Sequence, residues 1–218
     1  MRTAAACIAW YRSPTITVSV MLPFRRRSVP ALASLLLMSC SSAQVPATDR
    51  PLAAAGPITP LILDAASGER RVRRPGNSRP GALTTPFIIK VDRRNGGSSD
   101  LVMGTEDIPP GQAIPPHRHL VADEIVYIHR GSGVVELGEQ RRDVGEGATV
   151  YIPKNVRITL RNTGAVPMSI VFTFSKPGFE EQMRDNSVLE GQPVLPLSDA
   201  ERAANRTRHQ WHTLYDQP

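Results

Sequence analysis

The sequence predicts an all-β domain, a sandwich or small barrel followed by a short C-terminal helix. Three observations carry that prediction. Short β-branched and apolar runs recur between residues 58 and 175, clusters of Gly, Pro and Asn separate them, and no segment of helical period interrupts the series. A parallel α/β sheet would need helical crossovers between its strands, so antiparallel pairing is expected. In chain order, Ile58–Asp64, Phe87–Asp92 and Leu101–Thr105 read as strands, and Asn95-Gly96-Gly97 supplies the hairpin turn between the last two. A segment around His117–His119 follows, then Glu124–Arg130, the turn Gly131-Ser132-Gly133, and Val134–Leu137. Thr149–Ile152, Val156–Arg161 and Met168–Ser175 close the series.

After Lys176-Pro177-Gly178 the pattern changes. Phe179–Asn186 reads as one or two helical turns. Ser198-Asp-Ala-Glu201 is a capping box, and the helix it opens is predicted to run to about Leu214. Ala200, Ala204, Trp211 and Leu214 or Tyr215 form its apolar face. The expected organisation is therefore a processed leader over 1–39, a flexible tether over 40–60, the barrel over 61–178 and a helical extension over 179–218.

The leader explains most of the charge. Formal net charge is +6 over 218 residues, but Arg2, Arg12, Arg25, Arg26 and Arg27 precede Cys40 and no acid does, leaving +1 for the remainder. A nearly neutral domain gives no electrostatic case for nucleic acid. Arg25-Arg26-Arg27, the apolar run Val29–Met38 and Ser39 have the layout of a secretory signal, too short to span a bilayer. Met21 reads as the start of translation, and the paired arginines also bear a weak likeness to a twin-arginine signal. Leu37-Met38-Ser39-Cys40 resembles the lipobox of bacterial lipoproteins, which implies an acylated Cys40 and a lipid anchor in the membrane. Ser41 after it, rather than Asp, favours the periplasmic side of the outer membrane in the cell envelope. Cys7 is lost with the leader, so no thiol remains for nucleophilic catalysis. Residues 41–60, rich in Ala, Pro and Ser, read as an extended tether.

The chemistry concentrates in Gly111–Gly131. His117 and His119, two apart on a strand, share a face. Glu124 opens an alternating run that puts Glu124, Val126 and Ile128 on one face and Ile125, Tyr127 and His129 on the other. A neighbouring strand would aim Glu124 at the gap between the two imidazoles. Two histidines and one carboxylate suit a divalent first-row metal with coordination positions left open. Against this stands a site that keeps three polar fillers without metal, an arrangement costly in a barrel interior. Outside the set, His129 faces the wrong way, and His209 and His212 fall on the C-terminal helix with surface or packing roles. Glu69–Arg74 reads as a solvated strand edge or loop rather than an anion site, Arg157 as a surface charge, and Tyr127 and Tyr151 as residues of a subunit or helix contact, hence a homodimer.

At these residues the chain resembles the cupin family. The first cupin motif is filled at Gly111, His117, His119, Glu124 and Gly131. The second is matched at Gly147, Pro153 and Asn162, with Asn155 in place of a glycine and Ile158 in place of the histidine that is the family's usual fourth protein ligand. Ile158 is read either as a facial triad with extra open positions or as drift in a decaying site. The resemblance spans roughly residues 60 to 178. It implies a single jelly-roll β-barrel, and the exit at Pro177-Gly178-Phe179 is similar to the quercetin-dioxygenase-like group. It further implies His117, His119 and Glu124 as ligands of a divalent metal, Fe(II) or Mn(II) first, with Ni, Co or Zn as alternatives. Two functions remain open on this reading: a small-molecule dioxygenase or related lyase, and a non-catalytic small-molecule-binding module. A sugar isomerase or epimerase is a third, but the catalytic base of its metal-free forms is not identifiable.

Overall fold

The computed structural model describes residues 56–76, 83 and 85–216. The leader over 1–39, Cys40 and most of the tether lie outside these residues. Twelve strands and two helices follow in the order β1 (Glu69–Arg73), β2 (Pro86–Val91), β3 (Val102–Ile108), β4 (Ala113–His119), β5 (Glu124–Arg130), β6 (Gly133–Leu137), β7 (Gln140–Val144), β8 (Thr149–Ile152), β9 (Ile158–Asn162), β10 (Met168–Phe174), α1 (Phe179–Asp185), β11 (Ser187–Leu189), α2 (Asp199–His209) and β12 (Thr213–Tyr215). They form two antiparallel sheets, one of seven strands ordered β11-β1-β2-β3-β10-β5-β8 and one of five ordered β12-β4-β9-β6-β7. This is the jelly-roll barrel that the strand pattern and the two motifs imply.

Alternation builds the core. Val126 and Ile128 of β5, Ile170, Phe172 and Phe174 of β10 and Val150 and Ile152 of β8 point inward from the larger sheet, and Val135, Ile158 and Leu160 meet them from the smaller one. The outer side chains of β5 and β8 are exposed, so Ile125, Tyr127 and Tyr151 present an apolar face on the larger sheet. His129 is exposed on that same side. Two turn residues are set by backbone demands. Asn155 has φ 63°, the left-handed conformation in which Asn substitutes for glycine. At Gly131 a Cβ would lie 2.8 Å from Met168 Cα, so the β5–β6 turn can pass only without a side chain. Asn162, fully buried, donates to the Ile108 and Val166 carbonyls and accepts from Gly164 N–H, tying the β9–β10 loop to the end of β3.

Several expected elements are corrected. Residues 58–64 form no strand; the place beside β2 is taken by Glu69–Arg73, and Lys90 Nζ holds the preceding turn by donating to the Asp64, Ala65 and Ser67 carbonyls. That Glu69–Arg74 stretch is not a solvated edge, since β1 lies between β11 and β2 and its arginines are paired. Arg70 pairs with Glu190, Arg71 with Glu69, Arg73 with Glu106 and Arg74 with Glu201. Arg157, likewise, is half-buried and paired to Asp216 at 2.6 Å.

The capping box forms: Ser198 accepts from Glu201 N–H at 3.2 Å and Glu201 accepts from Ser198 N–H at 2.8 Å. Helix α2 nevertheless stops at His209, well short of Leu214. Its buried face is Asn205 and His209, while Ala200 and Ala204 are exposed. Asn205 donates to the Asp185 carbonyl, and His209 Nε2 lies 2.7 Å from the Asp185 carboxylate, so α2 docks on α1 through polar contacts. Beyond it the chain turns extended and β12 pairs with β4, placing Thr213 opposite His119 and Tyr215 opposite His117.

Candidate metal centre

His117 and His119 lie on β4 of the five-stranded sheet, and Glu124 opens β5 of the seven-stranded sheet. The carboxylate therefore approaches from the facing sheet, not from a strand hydrogen-bonded to β4. Residues 120–123 make the crossing. Asp123 fixes its far end: its carboxylate accepts from Lys154 N–H at 2.9 Å and its carbonyl from Ser175 N–H at 3.0 Å. Asn155 N–H donates to the His119 carbonyl at 2.6 Å, which joins the left-handed turn of the second motif to the end of β4.

The crossing brings the predicted residues together. His117 Nε2 lies 3.2 Å from His119 Nε2, and His119 Nε2 lies 3.2 Å from Glu124 Oε2. One ligand atom from each residue falls within 4.8 Å of the others, and all three side chains are buried. Metal–ligand bonds of about 2.0–2.2 Å meeting near a right angle hold neighbouring ligand atoms about 3 Å apart. The two separations that involve His119, 3.2 Å each, meet that requirement.

Electrostatics points the same way. Burial lowers the pKa of His117 to about 4, with the His119 charge adding to the effect, and burial lowers His119 to about 3. Both imidazoles are thus neutral at pH 7, the state a metal needs. Burial raises the Glu124 carboxyl to about 7, against a smaller opposing effect of His117. His117 Nδ1 lies 2.7 Å from the Pro115 carbonyl. A carbonyl only accepts, so neutral His117 carries its proton on Nδ1 and aims the Nε2 lone pair at the centre. The donor set fits a divalent ion in number, protonation and spacing.

Ile158 stands opposite His117 in the β4–β9 register and is buried. It lines, with His117 and Glu124, a cavity of about 510 Å³. An apolar side chain therefore occupies the position from which a fourth ligand would come. Val126, Val150, Leu160 and Phe172 extend the apolar wall, and Arg73, Arg74, Arg202 and Arg206 also contribute to the lining. Gln182 of α1 lines the cavity as well, and its amide oxygen is buried without a hydrogen-bond partner.

Sequence reasoning missed three residues at the site. Thr213 and His212 reach it through β12, and Gln182 through α1. His212 is fully buried, its ring 5.5 Å from that of His119, rather than on a helix surface. Only the pair of histidines after the capping box hinted at this, and that spacing pointed to a helix face.

Comparison with known proteins finds a family match and several relatives. Residues 104–174 match the cupin domain, described as Cupin_2. The chain is 35% identical over 100 residues to Protein SchB of Streptomyces halstedii, covering 46% of this chain and 66% of that protein. It is 26% identical over 103 residues to Tetracenomycin polyketide synthase protein TcmJ of Streptomyces glaucescens, covering 47% and 63%. In both cases the match falls just short of two thirds of the relative's own length. A solved structure, described as a predicted oxalate decarboxylase from Thermotoga maritima, aligns at 17% identity and TM-score 0.47, covering 54% of this chain and all of that one.

Proposed function

Residues 104–174 form a domain of the cupin superfamily, and from that premise we propose that this chain is a cell-envelope metalloprotein acting on a small molecule, as a dioxygenase or related metalloenzyme. His117, His119 and Glu124 hold one divalent ion, Fe(II) or Mn(II) in preference to Ni, Co or Zn. The observation that carries the reading is the meeting of three buried ligand atoms beside a cavity of about 510 Å³, a size within the range of about 300–1,000 Å³ usual for small-molecule pockets. Such an ion supplies Lewis acidity and, as Fe(II), one-electron chemistry with oxygen.

The chain's own groups do the rest. Pro115 fixes the His117 tautomer, and Glu124 releases its proton on ligation. The valine, isoleucine and phenylalanine wall excludes water and takes the apolar body of a ligand. The Gln182 amide and the arginines in the lining favour a ligand that also bears an enol, phenol or carboxylate oxygen. The relative named for a tetracenomycin polyketide synthase supports that class, since polyketides are rich in enols and phenols. The reading includes a second copy of the chain packing on the exposed face of Ile125, Tyr127 and Tyr151.

Oxygen consumption by the Fe(II)-loaded protein, measured with catechols, enols and hydroxy-ketones, tests the enzyme. Uptake that depends on both metal and organic substrate is expected. Tight binding of these compounds with no uptake would replace the enzyme by a non-catalytic binding module. The envelope location rests on Cys40 and its lipobox. Mass spectrometry of the mature protein should find an acylated Cys40 at its N-terminus, and Cys40→Ala should leave an uncleaved or soluble product. An unmodified N-terminus elsewhere would remove the anchor.

A further inference from the structure

Resting on the metal-centre reading above, we infer that β12 and the turn before it are a positioning element for the metal site, in which Thr213 and His212 hold His119 in the tautomer that ligation requires. His119 Nδ1 lies 3.0 Å from Thr213 Oγ1, and Thr213 Oγ1 lies 2.8 Å from His212 Nδ1. One hydroxyl therefore bridges two imidazoles, and all three residues are buried, at 1%, 4% and 0% exposure.

The polarity of the bridge follows from what each atom can do. His119 Nε2 faces His117 Nε2 and the Glu124 carboxylate, so Nε2 is the ligand atom. Neutral His119 ligating through Nε2 carries its proton on Nδ1 and donates it to Thr213 Oγ1. In the inferred arrangement the Thr213 hydroxyl, which has one proton to give, gives it to His212 Nδ1, and that nitrogen presents a lone pair. His212 in turn carries its proton on Nε2. That nitrogen is buried without a hydrogen-bond partner. Threonine suits the central place because a hydroxyl donates and accepts at once. It can also reverse, serving a His119 that carries its proton on Nε2 when a proton rather than an ion sits among the three ligands.

The fold clamps this arrangement. Thr213 is registered opposite His119 across the β4–β12 ladder, and Leu120 N–H donates to the His212 carbonyl at 2.7 Å. The His212 ring packs on Gly178, where a Cβ would lie 2.5 Å from His212 Cδ2. Thr213 and His212 thus orient a ligand from outside it, as groups behind metal-bound histidines commonly do. Neither touches the ion.

The test titrates the full-length chain, in detergent, with Zn²⁺ against a chromophoric chelator. Thr213→Val keeps the shape and deletes the bridge, and about 10- to 100-fold weaker binding is expected. Thr213→Ser, which keeps the hydroxyl, should bind as the wild type does. Long-range proton–nitrogen NMR of the Zn²⁺-loaded wild type should find the His119 proton on Nδ1 and the His212 proton on Nε2. This readout stands even where Thr213→Val fails to fold. Equal affinity of a folded Thr213→Val and the wild type, or a His212 proton on Nδ1, overturns the inference while leaving the metal site intact, provided His119→Ala loses binding. A wild type that binds no Zn²⁺ overturns both.

Discussion

His119→Ala abolishes divalent metal binding, measured by equilibrium dialysis of Mn²⁺ or of Fe²⁺ under anaerobic conditions. His119 contributes the central donor of the set, 3.2 Å from each of the other two ligand atoms. Removing it leaves one imidazole and one carboxylate, from opposite sheets and with nothing between them. No other histidine can take over: His117 is already one of the three candidate ligands, His129 is exposed on the outer face, His209 pairs with Asp185, and His212 faces Thr213 behind His119. His129→Ala should bind as the wild type does. Ile158→His gives the opposite sign in the same experiment. Ile158 is buried opposite His117 and lines the cavity beside Glu124, so an imidazole there adds a fourth donor. Tenfold tighter binding, about 1.4 kcal/mol, is expected. The apo variant should lose about 1–3 kcal/mol of stability, because a polar ring replaces a packed apolar side chain. Metal then raises the melting temperature of Ile158→His more than that of the wild type. An equal or smaller rise would show that residue 158 does not face the ion.

The second large effect is the pH dependence of metal binding. Glu124 in the folded protein has a pKa of about 7, raised by burial from an ordinary 4.5. Below pH 7 an incoming ion must displace that proton, so affinity should fall about tenfold per pH unit. Above pH 7 it should level off. The histidines do not add to this slope until about pH 4, where His117 begins to protonate.

Apo stability follows the same linkage. Glu124 holds its proton more tightly when folded, so its contribution is present at low pH and is lost as pH rises from 4.5 through 7, about 3 kcal/mol for the cited shift. His117, His119 and His212 have the opposite sign. Their pKa values are lowered from 6.5, so their contribution is present above that pH and is lost as pH falls toward 4 and 3. The apo protein should therefore unfold in acid and soften modestly between about pH 6.5 and 7, above which its stability levels off. Metal should raise its melting temperature most above pH 7, where Glu124 is ionised and buried. Melting curves with and without Mn²⁺ between pH 5 and 8 check this. A rise independent of pH would remove Glu124 from the ligand set.

Where local pattern and fold agree, the strands could be read residue by residue. Alternation over Glu124–Arg130 and Thr149–Ile152 predicted β5 and β8 with their bounds, and it separated Glu124 from Ile125, Tyr127 and His129. The two-residue spacing of His117 and His119 sufficed to put both on one face of β4. The capping box at Ser198 and the left-handed turn at Asn155 follow from chemistry confined to a few residues.

β7, β11 and β12 carried no such signal. Gln140–Val144 is a polar edge strand, exposed at four of its five residues, and it has no apolar alternation to reveal it. Three-residue strands such as Ser187–Leu189 and Thr213–Tyr215 are shorter than one readable period, so they exist because a partner strand offers its backbone. That is why α2 ends at His209: local preference continues the helix, and pairing with β4 overrides it.

The sequence by itself determined the strand-rich core and three inward-facing candidate ligands, two imidazoles and one carboxylate, because side-chain direction on a strand is a matter of parity. Tertiary structure decided that Glu124 meets the histidines from the facing sheet, that Ile158 fills the fourth position beside a cavity, and that His212 and Thr213 stand behind His119. The first depends on which sheet each strand joins and the other two on contacts between residues some 40 to 95 positions apart, and no local period encodes them.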